Sequence, residues 1–177
     1  MAQRYVVISA LGADRVGLAD DIAAWVESAG GNVEESKMAV LGGDFAVVML
    51  VGGGADAARS LLGQAPARAA ELGIRLEARE TGPPRAAVNG RPYLVQSVSL
   101  DSPGIVHAVT GEIRALGIGI EDLETGTTSA PWTGAPMFHM KARVILPPDL
   151  PAAELREQLD RVAHERDLDI TLEPLAP

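Results

Sequence analysis

Two aspartates stand at matching places in the chain. Asp14 lies in Gly12-Ala13-Asp14-Arg15-Val16-Gly17-Leu18, and Asp101 in Asp101-Ser102-Pro103-Gly104-Ile105, 87 positions later. Each follows an apolar, β-branched run, Tyr5-Val6-Val7-Ile8 and Tyr93-Leu94-Val95. Each precedes apolar residues at helical spacing, Leu18, Ile22, Trp25 and Val26 in one case and Val109, Ile113 and Leu116 in the other. The pattern is strand, Asp-x-x-Gly turn, helix, used twice. A helix N-terminus offers free backbone N–H groups and the positive end of a dipole, which together favour an anion. Glycine lets a ligand approach the backbone closely, and an aspartate carboxylate can accept from an ammonium group. The set could hold both charged ends of an α-amino acid. The competing reading is structural: Asp14 and Ser102 cap their helices, with Pro103 in the first helical position.

Other chemistry is sparsely supported. There are no cysteines, hence no thiol nucleophile and no disulfide frame. The histidines, His107, His139 and His164, have no metal-site spacing, so no metal and no cofactor is expected. His107 is the most interesting of the three, close to the Asp101 turn; a helical surface histidine is the plain alternative. No phosphate loop, dinucleotide fingerprint or nucleophile elbow occurs. Arg15 in the first turn is a thin basis for an acylphosphatase-like hydrolase, which would need an arginine cradling a phosphate beside an asparagine. The run His139, Lys141, Arg143 lines one strand face, either solvated or facing an acidic partner. Trp132 sits in a long Gly/Pro/Thr loop, where an aromatic can cover a pocket, contact a protein or pack on its own sheet.

Composition narrows the partners. The net charge is −9, with 15 basic residues scattered among 24 acidic ones. A duplex-binding surface needs clustered Lys and Arg, so direct nucleic-acid binding and anionic membrane surfaces are disfavoured. Hydrophobic residues make up 47%, enough for a globular core, but aromatics only 3%, so that core must rest on Val, Leu, Ile and Ala. The opening Met1-Ala2-Gln3-Arg4 leads into a strand without the apolar stretch of a signal peptide. No apolar run approaches membrane-spanning length. A cytoplasmic protein is expected.

The elements that must position the two turns follow from periodicity. Residues 4–11 read as a strand apolar on both faces, 15–29 as a helix, 32–41 and 45–51 as strands around the Gly42-Gly43 turn. A helix over 55–72 carries Pro66, which should bend or split it, and 74–79 alternates as a fourth strand. The order then repeats: strand 91–100, helix 103–117, strand 118–126, strand 136–146, helix 151–166 and a closing strand over 167–173. Each half is β-α-β-β-α-β, the ferredoxin-like order, in which right-handed crossovers put the first and third strands at the sheet centre. The fold class is therefore α+β, two antiparallel four-stranded sheets each with two helices on one face. The domains are 1–81 and 91–177, joined by a Gly/Pro linker over 82–90. Doubly apolar strands imply cover on the second sheet face, from the same chain or from a second copy, and a homodimer is expected.

These turns, with Gly30-Gly31-Asn32 before the second strand and Pro136-Met137-Phe138-His139-Met140 after the Trp132 loop, resemble tandem ACT domains. The arrangement is most similar to the glycine cleavage system transcriptional repressor family. The resemblance implies a non-enzymatic regulator that binds an amino acid between domains, where the first turn of one domain faces the second strand of its neighbour. It implies Asp14, Gly17 and Asn32 as ligand contacts in the first half, and Asp101, Ser102 and Gly104 in the second. Gly119 stands where Asn32 should recur, so the first half carries the fuller pattern. A protein partner would relay the signal, given the acidic charge. The alternatives are a ligand-independent interaction module and the acylphosphatase-like hydrolase.

Overall fold

The computed structural model describes residues 3–84 and 89–176. Much of the expected linker, residues 85–88, lies outside the described residues. The chain divides into two compact units, Met1–Ala86 and Ala87–Pro177. The first contains β1 (Arg4–Ala13), α1 (Leu18–Ser28), β2 (Gly31–Leu41), β3 (Asp44–Gly53), α2 (Ala55–Leu72) and β4 (Arg75–Thr81). The second contains β5 (Arg91–Leu100), α3 (Ile105–Ala115), β6 (Gly119–Ser129), β7 (Pro136–Leu146), α4 (Ala152–Arg166) and β8 (Asp169–Pro174). The sheet orders are β2-β3-β1-β4 and β6-β7-β5-β8, with every pairing antiparallel. The first and third strands of each unit are central, and each half is a ferredoxin-like βαββαβ unit.

The helices form where apolar residues recur on one face. Leu18, Ile22, Trp25 and Val26 of α1 and Leu61 and Ala65 of α2 pack on Val6, Ile8, Phe45 and Val47. Trp25 is buried and donates from Nε1 to Gln64 Oε1 at 3.1 Å, which ties α1 to α2. In the second unit Val109 and Ile113 of α3 and Leu155, Leu159 and Val162 of α4 pack on Val95, Met140, Ala142 and Val144. α2 runs unbroken through Pro66, contrary to the split that residue suggests.

Within one chain the central strands of the first unit are covered by helices on one face only, which leaves the expected cover of the second face to a second copy. Val6, Ile8 and Ala10 are buried, but Tyr5, Val7 and Ser9 are half-buried, and Val48 is 54% exposed. Both helices lie on one side, so alternation along the strand hides one set of side chains and leaves the other partly open. The helices also begin later than the spacing suggests, at Leu18 and Ile105, with Gly17 and Gly104 as the N-cap residues. Neither Asp14 nor Ser102 occupies the cap, and Pro103 precedes the helix.

Candidate functional site

The two Asp-x-x-Gly turns have the same construction. Each joins the C-terminal end of a central strand to the first helix of its unit. Gly17 has φ 91° and ψ −7°; Gly104 has φ 92° and ψ 0°. A side chain in this left-handed region costs about 1–2 kcal/mol, so both positions call for glycine. The helix then closes with Asp21 N–H donating to the Gly17 carbonyl at 2.9 Å and Ala108 N–H to the Gly104 carbonyl at 3.0 Å. No side chain caps either helix.

The aspartates are held through their backbones. Asp14 N–H donates to the Gly43 carbonyl, and Asp101 N–H to the Pro136 carbonyl, both at 2.9 Å. Each turn is thus pinned to the end of the neighbouring hairpin, Gly42-Gly43 in one unit and the β6–β7 loop in the other. The sequence gives no sign of this tie, because it joins backbone groups 29 and 35 positions apart. Asp14, Gly17, Asp101, Ser102 and Gly104 are all exposed. With their side chains released from capping, Asp14 and Asp101 present carboxylates beside open helix starts.

Asn32 is placed elsewhere. It pairs with Gly52 on β3, and Gly52 pairs with Tyr5 on β1. The Asp14 turn follows Ala13, eight residues further along β1, which is about 26 Å at a strand's rise. Within its own unit Asn32 therefore does not join Asp14 and Gly17. Its amide donates to Glu34 Oε1 at 3.5 Å. Both units carry a β-bulge just beyond this point, between Val33 and Glu35 and between Ile120 and Asp122, and this sets Gly119 opposite Asn32 in the comparison of the two halves.

The turns differ in charge. α1 has Asp20 and Asp21 in its first turn, and Arg15 Nη2 donates to Asp21 Oδ2 at 2.7 Å. That pairing occupies the arginine an acylphosphatase-like reading would use to cradle phosphate. α3 has no acid in its first turn. Instead, Arg166 Nη1, from the end of α4, lies 3.6 Å from where a Cβ on Gly104 would stand. Arg166 is 62 positions from Gly104, and nothing in the local sequence marks it.

His107 is exposed in the first turn of α3, and His164 is exposed near the end of α4. His139 Nε2 shares a 2.7 Å hydrogen bond with Thr128 Oγ1, and Arg143 Nε donates to Glu121 Oε2 at 3.1 Å. Among the described residues no three His, Asp or Glu side chains gather as a metal site. Trp132 does not pack on its sheet: it is 97% exposed. Its loop is closed by Ala130 N–H to the Ala135 carbonyl at 2.8 Å and Gly134 N–H to the Ala130 carbonyl at 2.9 Å.

Comparison with known proteins agrees with this architecture. The ACT domain family matches residues 4–79, the β-strands and helices of the first unit. The glycine cleavage system transcriptional repressor of Escherichia coli (strain K12) is 30% identical over 165 residues, which span 93% of this chain and 86% of that protein. The chain belongs to the glycine cleavage system transcriptional repressor family. The crystal structure of an unknown protein from Galdieria sulphuraria superposes on this family member with a TM-score of 0.81 at 34% identity, over 99% of this chain and 100% of the other. A second crystal structure, 21% identical, covers all of both chains with a TM-score of 0.73 and shows the same fold. The tandem ACT architecture is thus common to both units, and the repressor-family chain is a relative of a transcriptional regulator. Among the described residues, no helix is long and apolar enough to cross a membrane.

Proposed function

We propose that this chain is a non-enzymatic cytoplasmic regulator that binds a small amino acid at its Asp-x-x-Gly turns and relays the bound state to a protein partner. The setting is transcriptional control of glycine and one-carbon metabolism, following the relative's name. One observation carries the reading: Asp14 and Asp101 are pinned by backbone bonds to Gly43 and Pro136, with their carboxylates exposed and not capping the helices they precede. An aspartate placed only for capping would accept from the second or third helical N–H. Here glycine takes the cap position, which leaves the helix-start N–H groups and the carboxylate open to a ligand carrying both charges. The acidic balance of 24 to 15 charged residues supports action through a DNA-binding partner rather than direct contact with DNA.

Asn32 supports the same reading only as a contribution from a second copy of the chain, since its own turn is out of reach. A homodimer is therefore part of the proposal, and the partly open sheet face with Val48 and Leu11 supports it. A thermal-shift screen of the common amino acids tests binding. A ligand at one hundred times its Kd adds about 2.7 kcal/mol, which raises the midpoint of a domain this size by several degrees. No shift with any amino acid would sink the reading and leave the ligand-independent interaction module.

A further inference from the structure

The second hairpin carries a feature that the first lacks. β2 and β3 are joined by Gly42-Gly43, whereas β6 and β7 are joined by Ala130-Pro131-Trp132-Thr133-Gly134-Ala135. This longer loop is closed on itself. Ala130 N–H donates to the Ala135 carbonyl at 2.8 Å, Gly134 N–H to the Ala130 carbonyl at 2.9 Å, and Ala135 N–H to Thr133 Oγ1 at 3.3 Å. Gly134 takes φ 68°, which lets the chain turn back. Trp132 is thereby held 97% exposed. From Thr125 through Phe138 no residue is charged, in a chain that is 22% charged. An aromatic held out on a neutral surface has the make-up of an interface anchor.

A recess of fitting chemistry lies on the open sheet face of the first unit. Ala39 of β2, Ala46 of β3 and Leu11 of β1 stand side by side across the three strands. Ala46 alternates with the buried Phe45 and Val47, so this row points away from the helices. Leu41 and Val48, one pleat to either side, are 73% and 54% exposed. Two alanines among larger apolar side chains leave a shallow apolar floor. Lys37 opposite Val48 and Arg75 opposite Leu11 give it a basic margin, interrupted by Asp44 opposite Leu41. The Trp132 loop brings the opposite sign, because the Pro136 carbonyl accepts from Asp101 N–H at 2.9 Å and sets the exposed Asp101 beside it.

We propose that in a homodimer the Trp132 loop of each chain docks on the Ala39–Ala46 floor of the other. Knob and recess are different surfaces of one chain. Docked in one direction only they would propagate without end, whereas a two-fold exchange uses both and closes. This rests on the chain being a homodimer and not on amino-acid binding. Two tryptophans bury about 300–500 Å², less than the roughly 1,200–2,000 Å² of a stable interface. They are anchors, and the sheet face around Val48 and Leu11 completes the contact.

The chain has two tryptophans, and Trp25 is buried, so Trp132 emission reads the contact directly. The intact protein is diluted while its mass is followed by light scattering, with Trp132 emission taken as wild type minus Trp132→Ala. Where the mass is that of two chains, this emission should be blue-shifted and shielded from iodide. On dilution to one chain it should move to that of exposed indole. Trp132→Ala should weaken dimerisation roughly 100-fold or more, the scale of an interface hot spot lost twice, and Trp132→Phe should retain part of it. Ala39→Glu, at an exposed edge-strand position, should weaken it comparably. A two-chain mass with Trp132 still open to iodide, or unchanged dimerisation in Trp132→Ala, would overturn the proposal and leave a homodimer built on another surface. Shielding that persists in the single chain would place Trp132 on its own molecule and overturn it as well. A one-chain mass at every concentration would remove both the docking and the dimer.

Discussion

At the scale of residues, the informative result is which side chains are left unused. Asp14 reads as a cap in the sequence because an Asp before a helical stripe is the usual start signal. The structure gives the cap to Gly17 at φ 91°. The two arrangements predict different stabilities. Loss of a true Asp cap costs about 1 kcal/mol, so Asp14→Ala should change the urea midpoint very little, by less than about 0.5 kcal/mol for an exposed group without such a role. Gly17→Ala should cost about 1–2 kcal/mol, since its space is open and only the backbone conformation objects. The second unit holds the opposite case. Ser97 is fully buried, its hydroxyl has no partner, and Ala10 occupies the matching position in the first unit. Ser97→Ala should therefore raise stability by about 1–2 kcal/mol; a loss measured by urea unfolding would mean that the hydroxyl is satisfied. The two turns were legible in sequence down to their residue types, whereas Asn32 lies away from the turn it was grouped with. What the sequence could not carry was the Gly43 and Pro136 carbonyls that pin the turns, or Arg166 at the second, because these meet only after the sheet forms.

At the scale of elements, period and length carried nearly everything. The stripe Leu18, Ile22, Trp25, Val26 is the buried face of α1, and Leu155, Leu159, Val162 that of α4. Phe138, Met140, Ala142, Val144 and Leu146 alternate inward along β7, with Lys141 and Arg143 exposed. β1 and β3 are apolar on both faces but covered by helices on one, and small apolar side chains such as Val7 and Ala46 stay half-buried on the other. Pro66 does not split its helix. It is exposed within the continuous α2, where packing of Leu61 and Ala65 into the core holds the helix together. The ring still removes a backbone donor and strains the preceding turn. Pro66→Ala should stabilise the first unit by about 1–3 kcal/mol, read as a higher thermal midpoint with unchanged helical circular dichroism apart from a small gain.

At the scale of the whole molecule, the chain is one fold used twice, with the repeat kept in register from β1 through the bulge in the second strand and lost in the hairpin that follows. β1 and β5, and α1 and α3, match at a constant offset of 87, whereas the Trp132 loop lengthens the second hairpin. Conserving the segment that forms the turn while altering its surroundings is what two unequal sites would require. The charge at the helix starts, Asp20 and Asp21 in one and Arg166 in the other, is the clearest inequality. Light scattering should give the mass of two chains, in keeping with an Asn32 supplied by a second copy; a one-chain mass would remove the dimer. The central claim is amino-acid binding at the turns, and calorimetric titration of the amino acids into the intact protein tests it most directly. The account predicts heat for at least one small amino acid, reduced stoichiometry in Asp14→Ala or Asp101→Ala, and none in the double variant. Binding unchanged in the double variant, or no heat with any amino acid, would contradict it.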